Sequence, residues 1–490
     1  MDGSLVRPAA PIALVVALAL GSTLPTPTLA VAPGQFDPGF GGGDGIRLVQ
    51  PDLAASSIHA NALAAGLDGY LWFVGTSLDG SQWDPFVCRV TDIGGGHSCL
   101  VIPFDLGTGA VDRGDAVAPT FGGGAVVGCT VGGPDADPED RAAFFRMTPA
   151  FTLDASFGGD GRVDLDLSVP VEVAGVGSLV NGKVVWVGSA HQEILGADDW
   201  NFLVGRLNAD GTWDTSFDGD GRRVVNFDAG GGFTDRARAI AVQSDGKLVV
   251  VGAADTGPSN QSDSQFAVAR LNLDGTLDTT FSGDGKLTVD FSGSDGFPDG
   301  ASAVAIDRFG RIVVAGYAGS NSMGVGVVRL LANGSLDPTF GSSGKTSFSI
   351  LVGGDPVGEP HLALLPAPGD RIAVMGTFNS GAPGDHQDGY LAVLDVRGQL
   401  DPTFDGDGKV TYATFPSVTD VRAGITGAAT ASGRMIFAGK PFATNPAVGY
   451  VGRVYLPGLD GDDFESGDLR VWSIVFGAGG GPSAVDESVD

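Results

Sequence analysis

The chain is 490 residues long, above the usual size of one domain, so either several domains or one repeated unit has to fill it. Its 80 glycines and 28 prolines leave few stretches where a long helix survives, while 43% hydrophobic residues suffice for a core and exclude wholesale disorder. With 58 acidic against 28 basic residues and a formal charge of −30, the surface repels phosphate backbones and anionic lipid, which argues against nucleic acid and leaves cations, basic proteins and neutral glycans as partners.

Residues 1–32 read as a signal peptide: Arg7, an apolar run from Ile12 to Leu20, then small residues and prolines leading to Ala30-Val31-Ala32, with cleavage expected after Ala32. That run is too short to span a bilayer, and no later stretch approaches a spanning length, so no membrane insertion is expected. The expected localisation is secreted: extracellular, at the cell surface or in the periplasm. Of three cysteines, Cys88 and Cys99 flank the segment from Asp92 to Gly96 symmetrically and are predicted to bridge a hairpin. Cys129 is left over in an apolar strand, with no histidine beside it, and reads as a buried thiol.

From Phe36 onward three markers recur. A turn ending in Phe appears at Phe40, Phe157, Phe217, Phe281, Phe340 and Phe404, and the wide first gap hides a worn copy near Gly95. An aliphatic run closes on Gly75, Gly128, Gly188, Gly252, Gly316, Gly376 and Gly439. An arginine precedes an apolar residue at Arg89, Arg146, Arg206, Arg270, Arg329 and Arg453, with Val393 in the arginine place of the sixth unit. The markers agree on seven units of about sixty residues over 33–457.

The fourth unit resolves most clearly into four short strands: Ala237 to Val242, Lys247 to Gly252, Phe266 to Leu271 and Lys286 to Phe291, with Asp245-Gly246 as a hairpin turn. The expected fold is all-β, a seven-bladed β-propeller of four-stranded antiparallel blades. The segment from Ile46 to Gln50 precedes the first blade, and the last blade lacks a fourth strand. The N-terminal strand is therefore expected to join the last blade and close the ring.

These residues resemble the delta-60 repeat family of bacterial secreted proteins, whose unit carries the same Leu-Asp-x-x-Phe turn, Asp-Gly-Lys hairpin and valine-rich strand ending in Gly. The resemblance covers about residues 36–457 and is most specific in units three to seven. It implies an exported, propeller-like protein and brings no activity or catalytic residues. Residues 458–490 form a tail containing Asp462 to Arg470 and Trp472, similar to a terminal segment of other exported bacterial proteins. It reads as a sorting tag or a frayed end, and its Gly-rich acidic stretch from residue 477 is expected to be disordered.

Loop lengths separate two faces. The turns Ser244 to Gly246 and Asn272 to Gly285 recur with little change, whereas the connections Ser77 to Asp84, Gly132 to Arg141, Ala190 to Trp200, Asp255 to Gln265 and Asn379 to Asp388 vary, which assigns recognition to the second face. Counting back from each marker glycine gives a channel-mouth ring: His59, Asp112, Glu172, Arg236, Asp299, Glu359 and Arg422. Such a ring suits a cation or polar ligand, or paired carboxylates for acid and base work; the plainer reading is that strand entries are simply polar. Trp83 and Trp200 end variable loops, where their rings stack on sugars or pack over a blade.

The turns Asn208-x-Asp210-Gly211-x-x-Asp214 and Asn272-x-Asp274-Gly275-x-x-Asp278 carry part of a calcium-binding spacing. Arg206 or Arg270 stands where a further acidic ligand would start, so turn stabilisation is favoured, with the arginine bracing the Asp of the Phe turn. No resident cofactor or metal site is predicted, calcium being the one candidate. No nucleophile elbow, zinc-protease motif or phosphate loop is present. The expected function is a monomeric, non-enzymatic binding module for an extracellular protein or glycan. The alternatives are a glycan hydrolase or lyase using channel-mouth carboxylates, and a calcium-stabilised structural surface protein.

Overall fold

The computed structural model describes residues 46–49, 57–454 and 475–477, apart from 67, 80–81, 92–95, 105–110, 133–139, 195–196, 228–233, 256–263, 292–297, 320–323, 351–360, 365–369, 380–386, 413–423, 432–433 and 441–448. The expected signal peptide, most of the tail, Glu359 and Arg422 lie outside the described residues.

After β1 (Ile46–Val49), the first blade is β2 (Ser57–Ala65), β3 (Tyr70–Asp79), β4 (Gln82–Thr91) and β5 (His97–Val101). The second is β6 (Arg113–Pro119), β7 (Ala125–Val131), β8 (Arg141–Met147) and β9 (Arg162–Leu165); the third is β10 (Val171–Ser178), β11 (Val184–Ile194), β12 (Ala197–Leu207) and β13 (Arg222–Val225). The fourth holds β14 (Asp235–Val242), β15 (Leu248–Asp255), β16 (Ser264–Leu271) and β17 (Lys286–Val289). The fifth holds β18 (Gly300–Ile306), β19 (Ile312–Ala318), β20 (Gly324–Leu330) and β21 (Lys345–Phe348). The sixth holds β22 (His361–Leu364), β23 (Ile372–Asn379), β24 (Gln387–Leu394) and β25 (Lys409–Tyr412). Then come β26 (Gly424–Ala431), β27 (Arg434–Lys440), β28 (Gly449–Val454) and β29 (Val475–Gly477).

The structure corrects the repeat count. Six self-contained four-stranded antiparallel blades form from consecutive chain, where the markers predict seven. The last markers fall on β26–β28, three strands with no fourth of their own, which reach a sheet of four only by pairing with β1, Ile46 opposite Gly452 and Val49 opposite Gly449. Blade composition also departs from the expected four strands: the fourth blade takes up β29 as a fifth. First strands of neighbouring sheets lie against one another in succession, and β26 lies against both β22 and β2, so the row closes around a central channel.

Apolar side chains fill the seams between sheets. Phe144, Trp186, Phe202 and Ile240 join the second, third and fourth blades, and Val251, Phe266, Val304 and Val314 join the fourth and fifth. These strands are buried on both faces, so they read as continuous aliphatic runs.

The recurrent arginine ties each middle blade to the next. Arg146, Arg270 and Arg329 reach Asp154, Asp278 and Asp337 through Nε at 2.8, 2.7 and 2.8 Å, and Arg206 pairs with Asp214 in the same way. Each Nη1 donates to a carbonyl of the following blade, those of Ala209, Leu273, Ala332 and Val396. Each guanidinium also lies over the marker phenylalanine, Phe157, Phe217, Phe281 or Phe340. Despite opposing burial, hydrogen bonds from Ser216 and Lys183 and the charge of Arg206 hold the Asp214 carboxyl down at about 2. Asp278 is held at about 2 against the same burial by Thr280 and Arg270.

The first blade braces itself differently. Arg89 stacks on Tyr70 and donates to the Pro149 carbonyl, while a disulfide between Cys88 and Cys99 joins β4 to β5. Cys129 is a free, buried thiol whose pKa burial raises well above its ordinary value.

Candidate functional site

The marker glycines are explained at the channel. At Gly75, Gly188, Gly252 and Gly316 a Cβ would run into the carbonyl oxygen of His59, Glu172, Arg236 and Gly300 respectively, so no side chain fits. That crowding accompanies a β-bulge in the innermost strand just beyond, at Asn61, Ala174, Arg238 and Ser302; Asp115 and Thr426 occupy the same bulge in their sheets. In the second blade Cys129 takes the glycine's register opposite Gly114, displacing the count by one residue.

The expected ring therefore divides in two. His59, Arg113, Glu172 and Arg236 share one register, opposite Thr76, Thr130, Ser189 and Ala253, and Gly300 and Gly424 complete that level in the fifth and composite sheets. Asp112 and Asp299 stand one residue earlier, are 2% and 0% exposed, and turn their carboxylates to the backbone. Asp299 accepts from the Gly319 and Phe291 amides at 2.6 and 2.7 Å, and Asp112 accepts from the Gly132 amide at 3.3 Å. Asp235, at the matching place in the fourth blade, accepts from the Phe227 amide at 2.8 Å. These aspartates fasten loop ends.

The remaining ring residues meet the loop-end tryptophans. Arg236 donates to Glu172 at 2.7 Å with both side chains about a quarter exposed (27% and 25%), and its guanidinium lies 3.6 Å from the centre of the Trp200 ring. Trp200 also packs on His191, ring centres 5.0 Å apart, and is bridged to Thr234 of the next blade. Trp83 holds the corresponding seam through its bridge to Val111 and meets the His59 ring edge-on at 4.9 Å. Arg113 lies 3.5 Å from Asp115, whose other oxygen accepts from the Thr130 amide at 3.0 Å. Burial pushes the Asp115 carboxyl up to about 6, against the pull of Arg113.

The result is an arc over the first four blades with histidine, arginine, carboxylate and indole at one mouth of the channel. Arg113, Asp115, Asn61 and Arg238 belong to it and escape a count from the glycines. The signal that finds Asn61, Asp115 and Arg238 is the bulge, the residue directly after the one paired with each marker glycine or with Cys129, and Arg113 is the residue directly before that pair in the second blade. Among the described residues no group of three or more His, Cys, Asp or Glu is placed to hold a metal. The Asp-rich turns are closed by their own hydrogen bonds, Asp210 and Asp274 each accepting from a threonine amide and hydroxyl two residues on. No helix among the described residues is long and apolar enough to cross a membrane.

Fold and repeat together define a β-propeller repeat protein. A family model described as "Domain of unknown function (DUF5122) beta-propeller" matches residues 181–217, 243–281 and 310–340, each match running from a first hairpin to the marker phenylalanine. No curated protein sequence matches the chain. Among solved structures, the chain is similar to the polysaccharide lyase Uly1 at 11% identity and TM-score 0.47, over 81% of this chain and 90% of that one. It is similar to Sqt1 from Chaetomium thermophilum at 15% identity and TM-score 0.41, over 83% and 99%. The phage phi92 endosialidase follows at 10% identity and TM-score 0.43, over 85% and 70%.

Proposed function

We propose that the protein is an exported, non-enzymatic binding module of the delta-60 kind that takes an extracellular protein or glycan on its variable-loop face, at the arc from His59 to Arg238. One observation carries this reading. Register-equivalent positions at the mouth change from each blade to the next (His59, Arg113, Glu172, Arg236, Gly300), while the arginine clamp on the opposite face repeats with little change in four successive blades. A closed repeat that varies most at one end presents an asymmetric surface there, and asymmetry is what recognition of one ligand requires.

Hydrolysis or lysis of a glycan would need two carboxylates free to face one substrate. Asp112 and Asp299 are engaged with backbone amides and Glu172 with Arg236, which favours binding over chemistry. Secretion is tested by N-terminal sequencing of the exported protein, expected to begin at Pro33. The binding role is tested by probing an array of extracellular glycans and secreted proteins with the mature protein and with Glu172→Gln. Capture that the variant loses supports the reading, and turnover of an arrayed glycan, or no capture at all, overturns it.

A further inference from the structure

We propose that the channel edge of β14 is a strand-docking site and that the chain's own C-terminal residues Val475–Gly477 are its occupant, plugging the channel beneath the arc. An innermost propeller strand pairs on one side only, and its other backbone edge faces the channel. Beyond the Arg238 bulge β14 resumes regular pairing, and there β29 joins it antiparallel, Ala239 opposite Gly477, Ile240 opposite Phe476 and Ala241 opposite Val475. The same three residues lie close to β6, β10 and β18, which places them inside the ring of first strands.

Composition supplies the room. At this level the surrounding strands are built of small residues, among them Ala116, Gly175, Gly177, Ala303 and Ala305. Recognition is through the backbone, as when an extended peptide adds to a sheet edge, so the site takes an extended segment with little demand on its side chains. The polarity of the pairing fixes the direction of threading: Gly477 stands nearest the arc and Val475 toward the hairpin side, so this three-residue segment runs toward the mouth and a ligand there meets it immediately below Arg238. This inference is independent of which ligand the loop face takes.

Two experiments on the full chain test it. In hydrogen exchange, Phe476→Pro removes the backbone donor opposite Ile240, and the channel-facing amide of Ile240 should exchange at least about ten-fold faster while those of Phe86–Val90 stay unchanged. A synthetic peptide of residues 473–479 should restore protection in the variant and leave the wild-type protein unbound. In a second variant, Ala241→Cys with Val475→Cys, mild oxidation should give a disulfide within one chain. Equal exchange in variant and wild type, equal peptide binding by both, or a cross-link formed only between two chains would overturn the proposal.

Discussion

The two faces of the propeller are made from the same repeat and differ in what the repeat keeps. On the hairpin face Arg146, Arg206, Arg270 and Arg329 make one set of contacts four times, to an Asp of their own blade, a carbonyl of the next and a phenylalanine between. On the loop face the residues in register change chemistry at each step. The hairpin face mates with its neighbour through one repeated set of contacts, and at the channel mouth neighbouring blades meet through different residues at each seam.

The sharpest way to break that contrast is to remove a clamp. Arg270→Ala takes from Asp278 its buried partner, leaving it the part-exposed Lys247 at 3.3 Å, and should cost roughly 3 kcal/mol in urea unfolding, whereas Arg89→Ala, which has no such Asp among the described residues, should cost less than about 1. The first blade is expected to depend on its cross-link instead. Cys88→Ser with Cys99→Ser opens a loop with a sequence separation of 11 and should lower stability by about 2–3 kcal/mol under the same assay, with a smaller effect of reductant once both serines are present.

Next comes pH. Asp115 has a folded pKa of about 6 against 3.8 for a free carboxyl, so the native state holds the proton more tightly and this group's contribution to stability rises as pH falls from above 6 toward 4. Below that, Asp214 and Asp278, both held at about 2, act in the opposite sense, and their contribution is lost as pH falls from 4 to 2. Urea midpoints of wild type and Asp115→Asn should therefore converge or cross between pH 7 and 4, a shift on the order of 1–2 kcal/mol. The smallest effect on stability belongs to the arc: Glu172→Gln should change unfolding by less than about 1 kcal/mol, since the Arg236 pair is partly solvated.

Much of the architecture is legible from the chain. Asp245-Gly246, the aliphatic run to Gly252 and the turn into Phe281 announce a hairpin, a buried strand and a clamp, and the unpaired segment from Ile46 finds the unfinished sheet because each has an edge the other lacks. Self-contained blades fall one short of the marker count because none of the described residues after Arg453 supplies a fourth strand to β26–β28. The arc is less legible. A fixed count from a glycine presumes one register, and Cys129 breaks it, so Asp112 is read in place of Arg113. Whether an Asp faces the channel or a backbone amide depends on the bulge beside it, and the meeting of Trp200 with Arg236 joins two blades, which local pattern does not encode. The strand at Val475 is hidden for a related reason: it borrows its pairing from β14 and has little periodicity of its own.

The division between faces is tested most directly by setting two single variants side by side on one array of extracellular glycans and secreted proteins. Trp200→Ala alters the arc, and Phe309→Ser alters the hairpin face, where the ring is 61% exposed. Capture retained by Phe309→Ser and lost by Trp200→Ala is the predicted result, and capture lost by Phe309→Ser while Trp200→Ala binds as wild type would contradict the account.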